Sequence, residues 1–468
     1  MADDLNWLSA TKLVKAYKKK KLSPVDVTRA CLAQIARHDK KINAMCLVDE
    51  KAALKQARAS EKRWHKGEPL GAVDGVPTLV KDLILVKGWP TLRGSKTVDR
   101  NQAWDHDGPS VARLREEGAV LLGLTTTPEF GWKGVTDSPL TGITRNPWDT
   151  TRTPGGSSGG SSAAVAAGYA PLALGTDGGG SIRIPAGFSG IFGHKPSFGR
   201  VPAWPLSPFG TVAHTGPMTR RVGDAALMMN VIAKPDARDW HSLPYDKRDY
   251  TKGLDKGVKG LRIAFSPALG HADVDPEVAE AVQKAVNILR AQGAKIDIVD
   301  PGFPDPGPIF RVLWWSGARA LLGRLPAAKK KLLDPGLADV VKQSLEMTPE
   351  DYFDAVKARG ALGTQMRQFM EKYDLLVTPT LPIPAFEAGK LSPVDDGTGK
   401  WVNWTPFSYP FNLTQQPAAS VPCGFTKAGL PIGLHIIGRM FDDAGVLRAA
   451  EAYEDATDWH KRRPALES

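Results

Sequence analysis

The stretch Thr153-Pro-Gly-Gly-Ser-Ser-Gly-Gly-Ser-Ser162, followed by an alanine-rich run and then by Leu174-Gly-Thr-Asp-Gly-Gly-Gly-Ser-Ile-Arg-Ile-Pro185, organises the rest of this chain. It contains two Gly/Ser clusters on either side of an apolar segment. A flexible linker would be polar throughout, whereas residues 163–174 are mostly apolar and would be buried. Two glycine turns around buried elements are typical of backbone that comes close to a reacting group.

A second motif lies upstream, in Gly75-Val-Pro-Thr-Leu-Val-Lys81-Asp82. Together the motifs resemble the signature of the amidase signature family, serine hydrolases that cleave carboxamides. The resemblance extends from about Leu22 to Ala450. It implies an α/β fold, a single α/β/α domain over residues 1–468 with a mixed twisted central sheet covered by helices. Residues from about 247 to 392 depart most from the family's common core, and we predict that they carry substrate-specific elements.

Composition and charge exclude several other classes of protein. The chain has 468 residues, 42% of them hydrophobic, and a net charge of +11. Its basic residues are scattered rather than gathered in one patch, so we expect no nucleic-acid partner. Three cysteines without metal-ligand spacing fit a reducing compartment and predict no metal site. The sequence shows no signal peptide and no long apolar run, so we expect a cytoplasmic protein with no membrane contact.

Apolar periodicity and turn residues predict the order of elements. Lys81 should lie within or at the end of a strand in the β-rich segment 76–86. A helix near 276–292 between strands 261–265 and 295–299 predicts parallel pairing. The other predicted helices cover 8–40, 52–66, 110–117 and 442–458. Within 8–40 we expect Ser23 to be an N-cap and Pro24 the first residue of a helical segment. The other predicted strands cover 120–125 and 373–381, together with a hairpin that joins 418–423 to 432–437.

Ser181 is the candidate nucleophile, because it follows three glycines whose backbone can aim N–H groups at one point. We expect the oxyanion hole to consist of the backbone N–H groups of Gly178, Gly179, Gly180 and Ser181. An acyl-enzyme on Ser181 would then be the intermediate, and no cofactor is implied.

Lys81 is the candidate base, because a lysine on an apolar strand loses hydration and its pKa falls. The resemblance implies that Ser157 relays protons between Lys81 and the nucleophile and that the Gly156–Ser157 bond is cis. Ser158 is the alternative relay or a supporting hydrogen-bond donor. Asp177 and Arg183 flank the nucleophile and are expected to pair and hold its loop.

Several alternatives stay open. The run Gly156-Ser-Ser158-Gly-Gly160 also satisfies G-x-S-x-G, although that nucleophile elbow needs a strand before it. A Ser-His-Asp enzyme would need a histidine such as His194 or His214, which we interpret as structural. The segment Ser9-Ala-Thr-Lys12 matches S-x-x-K, which we interpret as chance.

The chain could also be the amidase subunit of a glutamine-dependent aminoacyl-tRNA amidotransferase, which the family resembles closely. Those subunits usually carry Leu-Asp-Gln where this chain has Val212-Ala-His214, and this difference argues against that alternative. A catalytically silent binding protein is the second alternative. The primary hypothesis is an amidase with a small-molecule amide as its partner, and a homodimer is left open. We expect a neutral aromatic or apolar acyl amide, with the tryptophans near 314 and 401 as candidates for its pocket.

Overall fold

The computed structural model describes residues 2–394 and 400–466. Its strands are β1 (Met45–Val48), β2 (Pro77–Lys81), β3 (Val120–Thr125), β4 (Asp137–Ser138), β5 (Gly142–Ile143), β6 (Leu172–Asp177), β7 (Phe192–Lys195), β8 (His214–Thr219), β9 (Arg262–Phe265), β10 (Lys295–Ile298), β11 (Leu375–Pro379), β12 (Ala418–Phe425) and β13 (Pro431–Gly438). Its α-helices are α1 (Ala10–Lys18), α2 (Pro24–Ile42), α3 (Glu50–Lys66), α4 (Pro109–Glu116), α5 (Gly159–Ala166), α6 (Arg183–Ser189), α7 (Val222–Ile232), α8 (Pro276–Ala291), α9 (Gly307–Leu322), α10 (Ala327–Lys330), α11 (Pro335–Gln343), α12 (Pro349–Lys372), α13 (Pro410–Leu413) and α14 (Asp443–Asp455).

One mixed sheet of 11 strands forms the centre of the fold, in the order β1-β3-β2-β6-β8-β7-β12-β13-β11-β9-β10. Strand β2 pairs in parallel with β3 and β6. Strand β9 pairs in parallel with β10 and β11, as the β9–α8–β10 pattern predicts. The predicted hairpin is confirmed as the antiparallel pair β12–β13. The mixed α/β fold class with helices flanking the sheet is therefore confirmed.

Helices cover both faces of this sheet, and neighbouring residues of β2 show which helices cover which face. Successive side chains of a strand alternate between its faces. Leu79 packs in one apolar cluster with residues of α2, α3 and α5. Val80 packs in a different cluster with residues of α7, α8 and α14. The side chain of Lys81 therefore belongs to the face of Leu79, under α5.

The start of α2 shows how the sequence controls a helix boundary. Ser23 caps it, since its Oγ accepts a hydrogen bond from the Val25 N–H at 2.9 Å, and Pro24 is its first residue. The helix predicted over 8–40 is accordingly interrupted. Lys20, in the break, adopts a φ of 54°, which an α-helix does not accommodate.

Residues 247–392 supply β9–β11 and α8–α12. Residues of α9, α11 and α12 form a third core cluster together with apolar side chains from the 401–413 segment. Trp314, Trp315, Trp401 and Trp404 are all buried in it. That this region determines the substrate, and that residues 1–468 act as one domain, stay predictions. Within the described ranges, no helix has both the length and the apolar composition needed to cross a bilayer.

Candidate active site

Lys81 ends β2, and its amine lies among three hydroxyl groups. Its Nζ is 2.7 Å from Ser157 Oγ, 2.9 Å from Ser158 Oγ and 2.9 Å from Thr176 Oγ1. Ser157 and Ser158 immediately precede α5, which packs on the face of the sheet that carries Lys81. Thr176 comes from the carboxyl end of β6, the parallel neighbour of β2. The topology therefore brings the two signature clusters and the lysine to one edge of the sheet.

The surroundings of Lys81 favour a neutral amine. Its side chain is fully buried. Burial lowers the pKa of Lys81 well below its ordinary value, because the ammonium form loses its hydration. The Asp177 carboxylate acts in the opposite direction, but less strongly. A neutral amine has a lone pair that can take a proton, which a general base requires.

The hydrogen bonds of Ser158 restrict how it can act on Lys81. Its hydroxyl donates to the Thr176 carbonyl at 3.1 Å and accepts from the Thr176 N–H at 3.2 Å. Its only proton is therefore already used, and Ser158 can accept from Lys81 but not donate to it. In this arrangement the hydroxyl protons of Ser157 and Thr176 remain available to the amine. We therefore expect Ser158 to orient Lys81 and Ser157 to relay its protons.

Ser157 and Ser181 line the same cavity, together with Thr176. The Gly156–Ser157 peptide bond is cis, as the resemblance implied. Ser181 follows Gly180, whose φ is 128°. Within the described ranges, the Ser181 hydroxyl makes no hydrogen bond to the protein, to Ser157 or to any other residue. It is therefore free to face a bound molecule.

A buried charge network holds the loop that carries Ser181. The guanidinium of Arg183 binds the Asp177 carboxylate with two N–H groups, each at 2.9 Å. Burial opposes ionisation, but this guanidinium holds the pKa of Asp177 well below its usual range. The Asn412 amide links both partners: its Oδ1 accepts from Arg183 at 2.6 Å, and its Nδ2 donates to Asp177 Oδ1 at 2.8 Å. The predicted Asp177–Arg183 pair is thus present, with a third member that the motif does not contain.

One of the four expected oxyanion donors is already engaged. The Gly180 N–H donates to Asp177 Oδ1 at 2.8 Å, so it is not available to a substrate. The N–H groups of Gly178, Gly179 and Ser181 have no acceptor among the described residues. That these three N–H groups form an oxyanion hole stays a prediction, and the contact of Gly180 with Asp177 argues against a fourth donor.

The cavity has a mostly apolar wall. It is built from the loop after β2, residues 197–215 and part of α9, with the Ser157, Thr176 and Ser181 hydroxyls at one side. Trp314 lines it and stacks on Phe209 at 3.8 Å between ring centroids. Trp315, Trp401 and Trp404 are not part of this wall and pack in the core. Of the tryptophans singled out in the sequence, Trp314 alone lies against the cavity.

The structure also tests the nucleophile elbow, the two histidines and the metal site that the sequence left as alternatives. No strand precedes Ser158 directly, since β5 ends at Ile143 and α5 follows, so the nucleophile-elbow interpretation fails. His194 contacts Asp443, with 3.2 Å between Nε2 and Oδ1. His214 lines the cavity, and its Nδ1 lies 2.8 Å from the Val212 carbonyl. No group of three or more His, Cys, Asp or Glu side chains within residues 2–394 and 400–466 could hold a metal ion.

Two members of the site were missed by the sequence motifs. Thr176 stands inside the quoted signature, in Gly-Thr-Asp, and that position was the available signal. Its contact with Lys81 depends on the parallel pairing of β6 with β2, which the sequence did not predict. No sequence signal pointed to Asn412, since it lies 235 positions from Asp177. Only the folded chain brings them together.

Comparison with known proteins shows the family of this chain. The Amidase family model matches residues 26–447. An acylamidase of Rhodococcus erythropolis is 37% identical over 469 residues, covering 99% of this chain and 98% of that protein. One of the subunits of the glutamyl-tRNA(Gln) amidotransferase of Chloroflexus aggregans is 37% identical over 490 residues, covering 99% of both.

Solved structures show the same likeness. A bacterial aryl acylamidase of the amidase signature enzymes superposes with a TM-score of 0.90 at 32% identity, covering 97% of both chains. A 6-aminohexanoate cyclic dimer hydrolase gives a TM-score of 0.90 at 29% identity, covering 98% of this chain and 99% of that one. The chain therefore belongs to the amidase family, the amidase signature enzymes that hydrolyse carbon–nitrogen bonds.

Proposed function

We propose that this protein hydrolyses a linear carboxamide to a carboxylic acid and an amine or ammonia, through an acyl-enzyme on Ser181. The observation that carries the proposal is the 2.7 Å contact between Lys81 Nζ and Ser157 Oγ, beside a cavity that Ser181 also lines. A buried amine, a hydroxyl that can relay its proton and an unbonded hydroxyl are the groups that this chemistry needs.

In the first half of the reaction, Ser181 Oγ attacks the carbonyl carbon of the amide. Its proton passes to Ser157, and the proton of Ser157 passes to neutral Lys81. Hydroxyl groups rotate readily about their side-chain torsions, so the Ser181 hydroxyl can turn towards Ser157 once substrate is bound. The N–H groups of Gly178, Gly179 and Ser181 stabilise the oxyanion.

In the second half, the intermediate collapses and the carbon–nitrogen bond breaks. The ammonium of Lys81 returns a proton through Ser157 to the leaving nitrogen, because an amide anion leaves poorly. Water then attacks the acyl ester, and the same relay takes its proton. Ser181 is released with its hydroxyl restored.

The second candidate is the amidase subunit of a glutamyl-tRNA(Gln) amidotransferase, which the 37% identity over 99% of the Chloroflexus aggregans protein favours. His214 argues against it, since the sequence departs there from the usual Leu-Asp-Gln of such subunits. Such a subunit would need partner chains and tRNA, whereas a free amidase would act alone. A catalytically silent protein is disfavoured by the presence of Lys81, Ser157 and Ser181 together.

A substrate panel with the purified single chain separates these candidates. We expect turnover of anilides or aliphatic amides without tRNA or a partner, and little turnover of glutamine. A strong preference for glutamine, or activity only with partner chains, would favour the amidotransferase instead. Sedimentation velocity on the same sample tests whether the chain forms the homodimer that the sequence leaves open.

A further inference from the structure

The wall of the cavity contains a cation that has no hydrogen-bonding partner among residues 2–394 and 400–466. Arg93 lines the cavity, and its guanidinium forms no hydrogen bond, ion pair or ring contact with any residue in the described ranges. Asp239, the carboxylate in the same wall, differs: it accepts the N–H groups of Ala203 and His241, each at 2.9 Å. The carboxylate of Asp239 therefore has hydrogen-bonding partners within the protein. The guanidinium of Arg93 has none among the described residues.

The backbone around Arg93 is held in a conformation that its side chain does not favour. Arg93 has a φ of 58°, in the left-handed region that arginine seldom adopts. Its carbonyl accepts the Phe130 N–H at 2.8 Å, and the next N–H, of Gly94, donates to Asp82 Oδ2 at 3.0 Å. Glycine or asparagine would suit this backbone better. The loop thus holds an arginine side chain at the cavity against its local preference.

Asp82 interacts electrostatically with this guanidinium but is a weak counter-ion for it. Its Oδ2 already accepts a hydrogen bond from the backbone N–H of Gly94. Burial raises the pKa of Asp82 to about 7, so a large share of it is uncharged near neutral pH. Arg93 itself stays charged at any such pH. A net positive charge therefore remains at the cavity wall.

We propose that Arg93 forms an anion subsite and that the protein acts on amides that carry a carboxylate as well as an apolar body. A guanidinium presents paired N–H donors that match the two oxygens of a carboxylate. Ile84, Phe130 and Trp314 supply the apolar surface for the rest of the molecule. This inference rests on the proposed amide hydrolysis and narrows the class of amides that the protein would act on. The sequence favoured a neutral substrate because of its tryptophans near 314 and 401, and a guanidinium in the cavity wall changes that expectation.

Matched substrate pairs test the subsite. Succinanilic acid and butyranilide differ by a carboxylate on the acyl side, and para-acetamidobenzoate and para-acetamidotoluene differ by one on the amine side. We expect the enzyme to favour the acid of at least one pair. Arg93→Gln should lower the ratio of kcat/KM for that acid over its neutral partner by about 10- to 100-fold, as expected for losing a charged hydrogen bond. Arg93→Lys should retain part of the preference.

Lys96→Gln is the matched control, since Lys96 is an exposed cation in the same loop and does not line the cavity. It should leave the ratio unchanged. An equal ratio in Arg93→Gln and Lys96→Gln would overturn the subsite, and so would a wild-type preference for the neutral member of both pairs.

Titration calorimetry with the Ser181→Ala variant separates this inference from the proposed reaction. The same four compounds are titrated with Arg93 intact and with Arg93→Gln. If the protein with Ser181 intact hydrolyses no amide, but the Ser181→Ala variant binds an acid more tightly in a way that depends on Arg93, the proposed reaction is contradicted and the subsite is supported. Hydrolysis of amides together with acid binding that Arg93→Gln does not weaken would support the reaction and contradict the subsite. Failure of all four compounds to bind would also contradict the subsite.

Discussion

The indole of Trp314 fills the space that a side chain at Gly178 would occupy. A Cβ added at Gly178 would lie 2.8 Å from Trp314 Cζ3, closer than van der Waals contact allows. Trp314 cannot move aside easily, because it is buried, stacks on Phe209 and donates from Nε1 to the Trp132 carbonyl at 3.0 Å. Trp314 therefore provides a physical reason for glycine at position 178.

We therefore expect Gly178→Ala to displace an oxyanion donor and to lower kcat/KM by about 10- to 100-fold. Gly363→Ala is the control, since a Cβ at Gly363 on α12 would meet nothing within 4 Å. That variant should keep full activity. Adding Trp314→Leu to Gly178→Ala should restore part of the lost rate. Equal activity of Gly178→Ala and Gly363→Ala in steady-state assays would disprove the steric account.

Asn412 should support both stability and rate, although it is far from the motif in sequence. Its amide donates to the Asp177 carboxylate and carbonyl and accepts from Arg183. Asn412→Ala leaves buried polar groups without partners, which should lower the free energy of unfolding by about 1–3 kcal/mol. The Ser181 loop should also lose its fixed position, so kcat should fall more than KM rises. Urea denaturation and steady-state kinetics measure the two effects, and a variant with wild-type values of both would refute the role.

Ser157 and Ser158 both contact Lys81 but should differ in their effect on the rate. Ser157→Ala removes the proposed relay, so kcat should fall by about 100- to 10,000-fold. Ser158→Ala removes a hydroxyl whose proton is already given to the Thr176 carbonyl, so it should cost much less. The two variants serve as controls for each other, because each removes one hydroxyl that contacts the amine of Lys81. A larger loss for Ser158→Ala in the same assay would reverse the assignment.

The pH dependence should report the burial of Lys81. Burial lowers the pKa of Lys81 well below its ordinary value of about 10.4. Because the neutral amine is the active form, kcat/KM should be low when the amine is protonated and should rise with pH through this lowered pKa. The apparent value belongs to the coupled site rather than to Lys81 alone. Rate profiles with an amide and a matched ester measure it.

Lys81→Ala should remove this ionisation. It should also slow amides more than matched esters, because the leaving group of an ester needs less protonation. An unchanged pH profile and amide rate in Lys81→Ala would make the lysine structural, and the base would then have to be sought among the histidines.

The sequence predicted the parts of the site that lie in local patterns, and missed those that depend on the folded chain. The strand that ends at Lys81 and the turn before Ser181 follow from apolar runs and glycine positions. Thr176 joins the amine only because β6 lies parallel to β2. The Gly180 N–H donates to Asp177. The sequence did not predict this contact, because a run of three glycines leaves the backbone torsions open.

The tryptophans near 314 and 401 show the same limit. Composition alone could not separate Trp314, at the cavity, from Trp401, which packs at the back of the nucleophile loop. Arg93 stood in no recognised pattern. Its proposed role follows from two structural observations. Arg93 lines the cavity, and its guanidinium has no hydrogen-bonding partner in the described ranges.

The central claim is that the acyl group passes through Ser181, and trapping that intermediate tests it most directly. The enzyme is mixed with a slowly deacylated ester, quenched in acid and analysed by intact-protein and peptide mass spectrometry. We predict one acyl adduct, on the peptide that contains Ser181, and neither an adduct nor amide turnover in Ser181→Ala with an unchanged circular dichroism spectrum. An adduct on another residue, or near-normal turnover by Ser181→Ala, would contradict the account.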